Sequence, residues 1–244
     1  MKANEDTRSR MRTALLQPTY LPWIGYFGLI DLASTFVFYD DTQFTNQSWQ
    51  QRNRIKTAPG WIWLSVPVFR RFGQLITQVR INNNLKWSEK HWKSISYNYA
   101  RSTHFKDHLS VFEDMWKQRW DSLVDLNVAL IMQISDLLGI HAEFVVSSEL
   151  DALGTKTDRL ISILDELGAD EYISGPAAQS YIEVEKFKES GKTLYWYEFA
   201  HPVYPQLFGE FIPYLSVIDL MFNVGEASRD LIRKSNETAL RRAY

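Results

Sequence analysis

Apolar and polar positions along the chain follow two periods in turn. Residues 13–17 (TALLQ) form a short apolar run that predicts a strand, and residues 23–33 space Ile24, Phe27, Ile30 and Leu32 as a helix does. Residues 35–39 (TFVFY) predict a second strand, closed by Asp40 and Asp41. Strand, turn, helix and strand in this order imply parallel strands with a right-handed crossover. Residues 61–68 (WIWLSVPV) and 75–81 (LITQVRI) predict two further strands, a hairpin turning at RRFG. Three-to-four spacing then predicts helices over 85–102, 105–120 and 122–139. Beyond them come a strand at 143–146, a helix at 156–167, strands at 171–174 and 194–199, and a helix at 213–223 with Pro213 near its first position.

Alternating elements at both ends around a helical middle predict an α/β fold. The expected core is a parallel, Rossmann-like sheet, with a nucleotidyltransferase-like sheet as its narrower variant, carrying a β-hairpin and a helical insertion. The expected domains are a flexible tail over 1–12 and one α/β domain over 13–244, in which 85–139 is the insertion.

Composition narrows the function classes. A net charge of -2 argues against a domain whose main task is gripping a nucleic-acid backbone, so no DNA partner is expected. The absence of cysteine removes disulfides, thiolate metal sites and a cysteine nucleophile. The polar start lacks the apolar run of a secretory signal and no later stretch is long enough to span a membrane, which predicts a cytoplasmic protein with no membrane partner. Aromatic residues reach 14%, with 9 Trp, which suits either a stacking, sugar-binding surface or a tryptophan-rich core.

Ligands of open α/β sheets collect beyond the carboxyl ends of the strands. Gln17, Tyr20 and Trp23 follow the first strand and Asp40, Asp41 and Gln43 the second. The six are candidates for one cleft, with Gly25 letting backbone approach a ligand; the competing reading is a proline-shaped turn with aspartates binding backbone amides. In WQQRNRIK, from Trp49 to Lys56 through Asn53, an extended chain would put Arg52, Arg54 and Lys56 on one face, suited to phosphate or carboxylate, or else to guarding a strand edge. His91, Ser94 and Asn98 make a polar helical stripe on which the histidine reads as a surface group. His201, Tyr204 and Gln206 lie in a loop stiffened by Pro202 and Pro205. Ser216, Asp219 and Asn223 share a narrow stripe on a helix that is otherwise apolar, so they either face solvent or meet polar partners or a ligand. Ser174 and Gly175 open a turn with exposed backbone amides. No dinucleotide fingerprint, P-loop, nucleophile elbow or metal-ligand spacing is present, so no metal is expected and no cofactor is assigned.

The runs QPTYLPWIGYFGLID, FVFYDDTQF, SWQQRNRIKT, WLSVPV, EYISGPAAQSYI, HPVYPQ and FIPYLSVIDLMFNVG resemble the WbqC-like family along nearly the whole chain. The family's motif positions fall on Gln17, Tyr20, Pro22, Trp23, Gly25, Asp40, Asp41, Gln43, Trp49, Arg52, Asn53, Arg54, Lys56, Ser174, Gly175, Tyr181, His201, Tyr204, Gln206, Ser216, Asp219 and Asn223. Gly28 departs from the family's larger polar residue. The resemblance implies a biosynthetic role in bacterial O-antigen, other surface-polysaccharide or amino-sugar pathways. On this reading an acyl or aminoacyl-type group passes to a small-molecule substrate such as a sugar nucleotide or related amine. Asp40 or Asp41 would act as base or hold the amine, His201 would move a proton, and Asp219 joins the catalytic candidates. Arg52, Arg54 and Lys56 would bind an anionic group, and Trp23 and Trp49 would stack. A fainter similarity is to nucleotidyltransferases, in which Pro-Thr is followed by His-x-Gly-His; here the second stretch reads Trp23-Ile24-Gly25-Tyr26. It leaves nucleotidyl transfer or ATP-dependent ligation as the alternative, with a non-catalytic binding or scaffold protein as a further one. The oligomeric state is not fixed by the sequence.

Overall fold

The computed structural model describes residues 11–244. The expected tail over 1–12 lies outside them except for its last two positions, and Arg12 already belongs to the first strand.

Six strands form the central sheet. β1 (Arg12–Leu16) is followed by helix α1 (Ile24–Leu32) and β2 (Thr35–Phe38). A hairpin comes next, β3 (Arg52–Thr57) and β4 (Gly60–Ser65), and then the short pair β5 (Val68–Phe69) and β6 (Arg80–Ile81). Helices α2 (Trp87–Tyr99), α3 (Phe105–Lys117) and α4 (Leu123–Leu137) lead to β7 (Glu143–Val146). The chain closes with α5 (Lys156–Glu166), β8 (Glu171–Ser174), α6 (Val184–Glu189), β9 (Thr193–Tyr197), α7 (Val217–Val224), α8 (Ser228–Asn236) and β10 (Leu240–Arg242).

The sheet order is β10-β9-β8-β1-β2-β7, and all neighbours are parallel except β9 and β10. From β1 the chain therefore builds outward to β2 and β7, then returns to lay β8 and β9 on the other side. Period-two alternation sends neighbouring strand residues to opposite faces. Ala14, Phe36, Phe38 and Ile173 join a core with α1, α4, α7 and α8, whereas Leu15, Val37, Tyr172 and Leu194 pack with Leu160 and Ile163 of α5 and Phe187 of α6. Both faces are covered, as a parallel sheet requires. Ile95, Tyr99, Phe112, Trp116, Leu130 and Ile134 of α2–α4 join the same core as α1.

Two expectations are corrected. The hairpin pairs Arg52↔Ser65 through Thr57↔Gly60, turning at Ala58-Pro59, not at RRFG. Of the two runs expected to pair, only Val68–Phe69 meets Arg80–Ile81. Pro67, which has no N–H for a ladder, ends the first run, and Ile76–Gln78 coils into a 3-10 turn. The helix expected over 213–223 begins at Val217 instead of Pro213, where Ser216 caps it, its Oγ accepting from Ile218 N. Among the described residues no helix is long and apolar enough to cross a membrane.

Candidate functional site

The carboxyl ends of β8, β1 and β2 lie side by side, and the chain's direction of growth reverses between β1 and β8. Gln17 sits just past β1, where its Nε2 donates to Thr42 Oγ1 at 2.8 Å and its Oε1 accepts from Gln50 Nε2 at 2.8 Å. Asp40 is buried and its carboxylate accepts from Ser147 Oγ (3.1 Å), Ser148 N (2.9 Å) and Ser148 Oγ (2.7 Å). That aspartate fastens the turn after β7 to the end of β2. It also borders a groove of about 610 Å³ lined by Thr77, Arg80, Asp125, Met132 and Glu149. Asp41 is partly exposed; Ser147 Oγ donates to it at 2.6 Å and Arg159, from the first turn of α5, forms an ion pair with it. Tyr39 stands beside this pair, with Tyr181 near Tyr39. Burial raises the Tyr39 phenol, with Arg159 pulling it down and Asp41 pushing it up. Ser174 is buried, and above Gly175 the space where a side chain would project is open. Gln43 points outward and joins Leu75 through backbone alone.

A second concentration of candidates forms a shelf on the hairpin. Alternation on β3 and β4 sets Arg54 opposite Trp63 and Lys56 opposite Trp61. The Arg52 guanidinium lies 4.2 Å from the Trp63 ring centre, and that of Arg54 lies 5.1 Å from Trp61, 5.7 Å from Trp49 and 5.8 Å from Trp63. Trp49, Trp61 and Trp63 are 48%, 42% and 37% exposed, so the rings face solvent instead of filling a core. Among the described residues no carboxylate forms an ion pair with either arginine. Arg54 donates to Tyr214 O at 3.1 Å, and the Nε of each guanidinium is covered without a hydrogen-bond partner. Two cations framed by three exposed indoles suit a ligand that is anionic at one end and has a flat or ring-shaped body.

The third group is internal. Lys56 is buried, and its Nζ donates to Gln206 Oε1 at 2.9 Å and to the Glu210 carbonyl. Burial lowers its ammonium, against the pull of Asp219. Asp219, wholly buried, accepts from Tyr99 OH (2.8 Å), Tyr204 OH (2.9 Å) and Gln206 Nε2 (2.7 Å). Burial raises its carboxyl while those donors hold it down. The polar stripe of α7 is thus satisfied by protein, not by solvent: Asn223 donates to Asp219 O, and Ser216 N to Arg54 O. Asn53 donates to Leu21 O at 2.6 Å. At His201, the Pro202 carbonyl is 2.8 Å from Nδ1 and Tyr214 N–H donates to Nε2 at 3.1 Å, so both nitrogens of a neutral ring are engaged by backbone.

Besides the buried Asp40, Asn53, Lys56, Ser174, Ser216 and Asp219, three positions of the first turn that were expected to face a ligand pack against protein. Tyr20 is wholly buried and bonds His91 Nδ1 at 2.9 Å, which also makes His91 a core residue, not a surface one. Trp23 packs against Phe199, His201 and Tyr214. Gly25 is required by that indole: a Cβ there would lie 2.2 Å from Trp23, so the close approach is a side chain's and not a ligand's. Arg159, Tyr39, Trp61 and Trp63 were not among the candidates. The Ala58-Pro59-Gly60 turn was the signal that would have paired 52–57 with 60–65 and brought the two tryptophans over the arginines.

The profile of a family described as the WbqC-like protein family matches residues 17–231. An uncharacterized protein of Mycobacterium tuberculosis is 35% identical over 226 residues, covering 91% of this chain and 97% of the relative. No solved structure matches the chain.

Proposed function

The chain belongs to the WbqC-like protein family, and from that premise we propose that it binds a sugar nucleotide or related anionic sugar on the Arg52–Arg54–tryptophan shelf and acts on it as a transferase of surface-polysaccharide or amino-sugar biosynthesis. The observation that carries this reading is the pair of guanidiniums without a carboxylate partner among the described residues, set under Trp49, Trp61 and Trp63. Phosphate oxygens would take the guanidinium donors, and the sugar or base would lie on the indoles. The sheet order supports a doubly wound, Rossmann-like reading, in which ligands lie at the carboxyl ends beside the reversal point. We treat residues 13–244 as one α/β domain in which 85–139 is an insertion, because α2–α4 share its core.

The expected reaction passes an acyl or aminoacyl-type group to an amine. The nitrogen lone pair bonds to the acyl carbon, the nitrogen gives up a proton, and the donor's leaving group departs with the bonding electrons. Of the groups read as catalytic, Asp40 and Asp219 are buried among protein donors and both ring nitrogens of His201 are engaged by backbone, so we assign the amine-holding role to Asp41, which is partly exposed at the strand ends beside Arg159. Nucleotidyl transfer is less favoured, because an indole occupies the space beside Gly25 at the start of α1. The exposed indoles favour one second reading, a non-catalytic binding protein using the same shelf. Incubating the protein with amino-sugar nucleotides and acyl or aminoacyl donors tests the reaction: a mass gain on the sugar nucleotide that is lost in Arg52→Ala and Arg54→Ala supports it. Binding with no mass change for any pair favours the second reading.

A further inference from the structure

We propose that the crevice of Asp41, Arg159, Tyr39 and Tyr181 at the carboxyl ends of β2 and β8 is a second binding site, and that its ligand is a free α-amino acid in zwitterionic form. Four observations converge. The site lies beside the strands where the sheet's order of growth reverses, the place where open α/β sheets hold ligands. It holds one carboxylate and one guanidinium in contact, with side chains 22% and 20% exposed, so both charges reach solvent. The Tyr39 phenol adjoins the pair, and Tyr181, 52% exposed, lies near Tyr39. The turn starting at Gly175 leaves open space above it.

Charge separates this site from the shelf. A phosphate entering the crevice would gain Arg159 and meet the negative Asp41, whereas on the shelf it meets two arginines with no carboxylate paired to them. A ligand carrying both signs suffers no such conflict. Its carboxylate takes the Arg159 fork, whose Nη1 is already braced by Ala152 O at 2.7 Å, and its ammonium takes Asp41, which Ser147 holds from behind. The Tyr39 phenol would flank the α-carbon, and the exposed Tyr181 near it would meet the ligand's side chain. Binding replaces one internal ion pair by two ligand contacts of the same kind. The identity of the amino acid as the source of an aminoacyl group rests on the proposed transferase reading; its binding does not.

The test is calorimetric titration of the full chain with the twenty amino acids, followed for any binder by its methyl ester, which lacks the carboxylate, and its N-acetyl form, which lacks the ammonium. The expected result is binding of at least one free amino acid, weakened at least about tenfold in each analogue and in Arg159→Lys and Tyr181→Ala. Tyr181 is exposed, so its variant keeps the fold, as circular dichroism would verify. Arg52→Ala should leave amino-acid binding unchanged, so failure of the shelf reading is distinguishable from failure of this one. The proposal is overturned if no amino acid binds, if ester and N-acetyl forms bind as well as the parent, or if both crevice variants bind like the wild type.

Discussion

His91 shows how one residue's surroundings set its chemistry. Its stripe with Ser94 and Asn98 is polar in sequence, and nothing local says that Tyr20, seventy-one positions earlier, will be folded against it. In the structure burial pushes the imidazole down to about 4 from 6.5, and Tyr20 and the Ser65 carbonyl sit at its polar positions. The sign follows directly. The unfolded chain takes up the proton first, so the stability present above pH 6.5 is lost as pH falls toward 4, by up to about 3 kcal/mol. Urea unfolding of wild type and His91→Gln at pH 7.5, 5.5 and 4.5 should show the wild type losing its advantage over that window; parallel curves would refute it. At Asp219 burial likewise pushes the group toward its neutral form, raising the carboxyl, but its four neighbours Tyr99, Tyr204, Gln206 and Lys56 all favour the charge and oppose that push. Replacing it by alanine strands three donors and should cost about 3 kcal/mol or more, read as a shift in the denaturant midpoint. The sequence showed that this stripe needed partners; it could not show that two tyrosines and a glutamine from distant segments supply them.

At the scale of elements, the turn QPTYLPWIG is a packing device. Leu21 O, Pro22 O and Tyr20 N are bonded by Asn53, Val217 and Trp49, so the turn ties the hairpin and α7 to the end of β1. Its tryptophan folds back over Gly25. Gly25→Ala should therefore destabilise by about 1–3 kcal/mol through the clash. In a Trp23→Ala background the same change should stabilise by up to about 1 kcal/mol, since alanine is the better helix former. Equal effects in both backgrounds, measured by thermal unfolding, would show that the indole is not the reason for the glycine. The strands of the parallel sheet were legible because each is a compact apolar run between helical spacings. The hairpin was not, because β3 is written in arginine, asparagine and lysine, and its strand character comes from the tryptophans across the ladder. Nor were α6 with its single buried Phe187 or the three-residue β10, too short for any period to emerge.

For the whole molecule, strand-helix alternation was enough to anticipate an α/β protein with a largely parallel sheet, and the candidates that follow the first two strands stand at the carboxyl ends of β1 and β2. Which of them would face outward was not legible, because period and motif say nothing of what packs on top: Asp40 and Tyr20 were covered, while Trp61 and Trp63 were left open. On the shelf, cations without a carboxylate partner among the described residues coincide with exposed aromatic area. Because its attraction is ionic and partly exposed, affinity for an anionic sugar should fall as salt rises from 50 to 500 mM by about tenfold or more, whereas binding by stacking alone would be insensitive. The central claim is tested most directly by titrating the protein's tryptophan fluorescence with nucleoside diphosphate sugars at low salt, in wild type and in the Arg52→Ala/Arg54→Ala double variant. The account predicts a saturable change in the wild type that is lost, or weakened at least about a hundredfold, in the double variant. A wild type that gives no saturable change with any of these sugars, or a folded double variant that binds as tightly as the wild type, would contradict it.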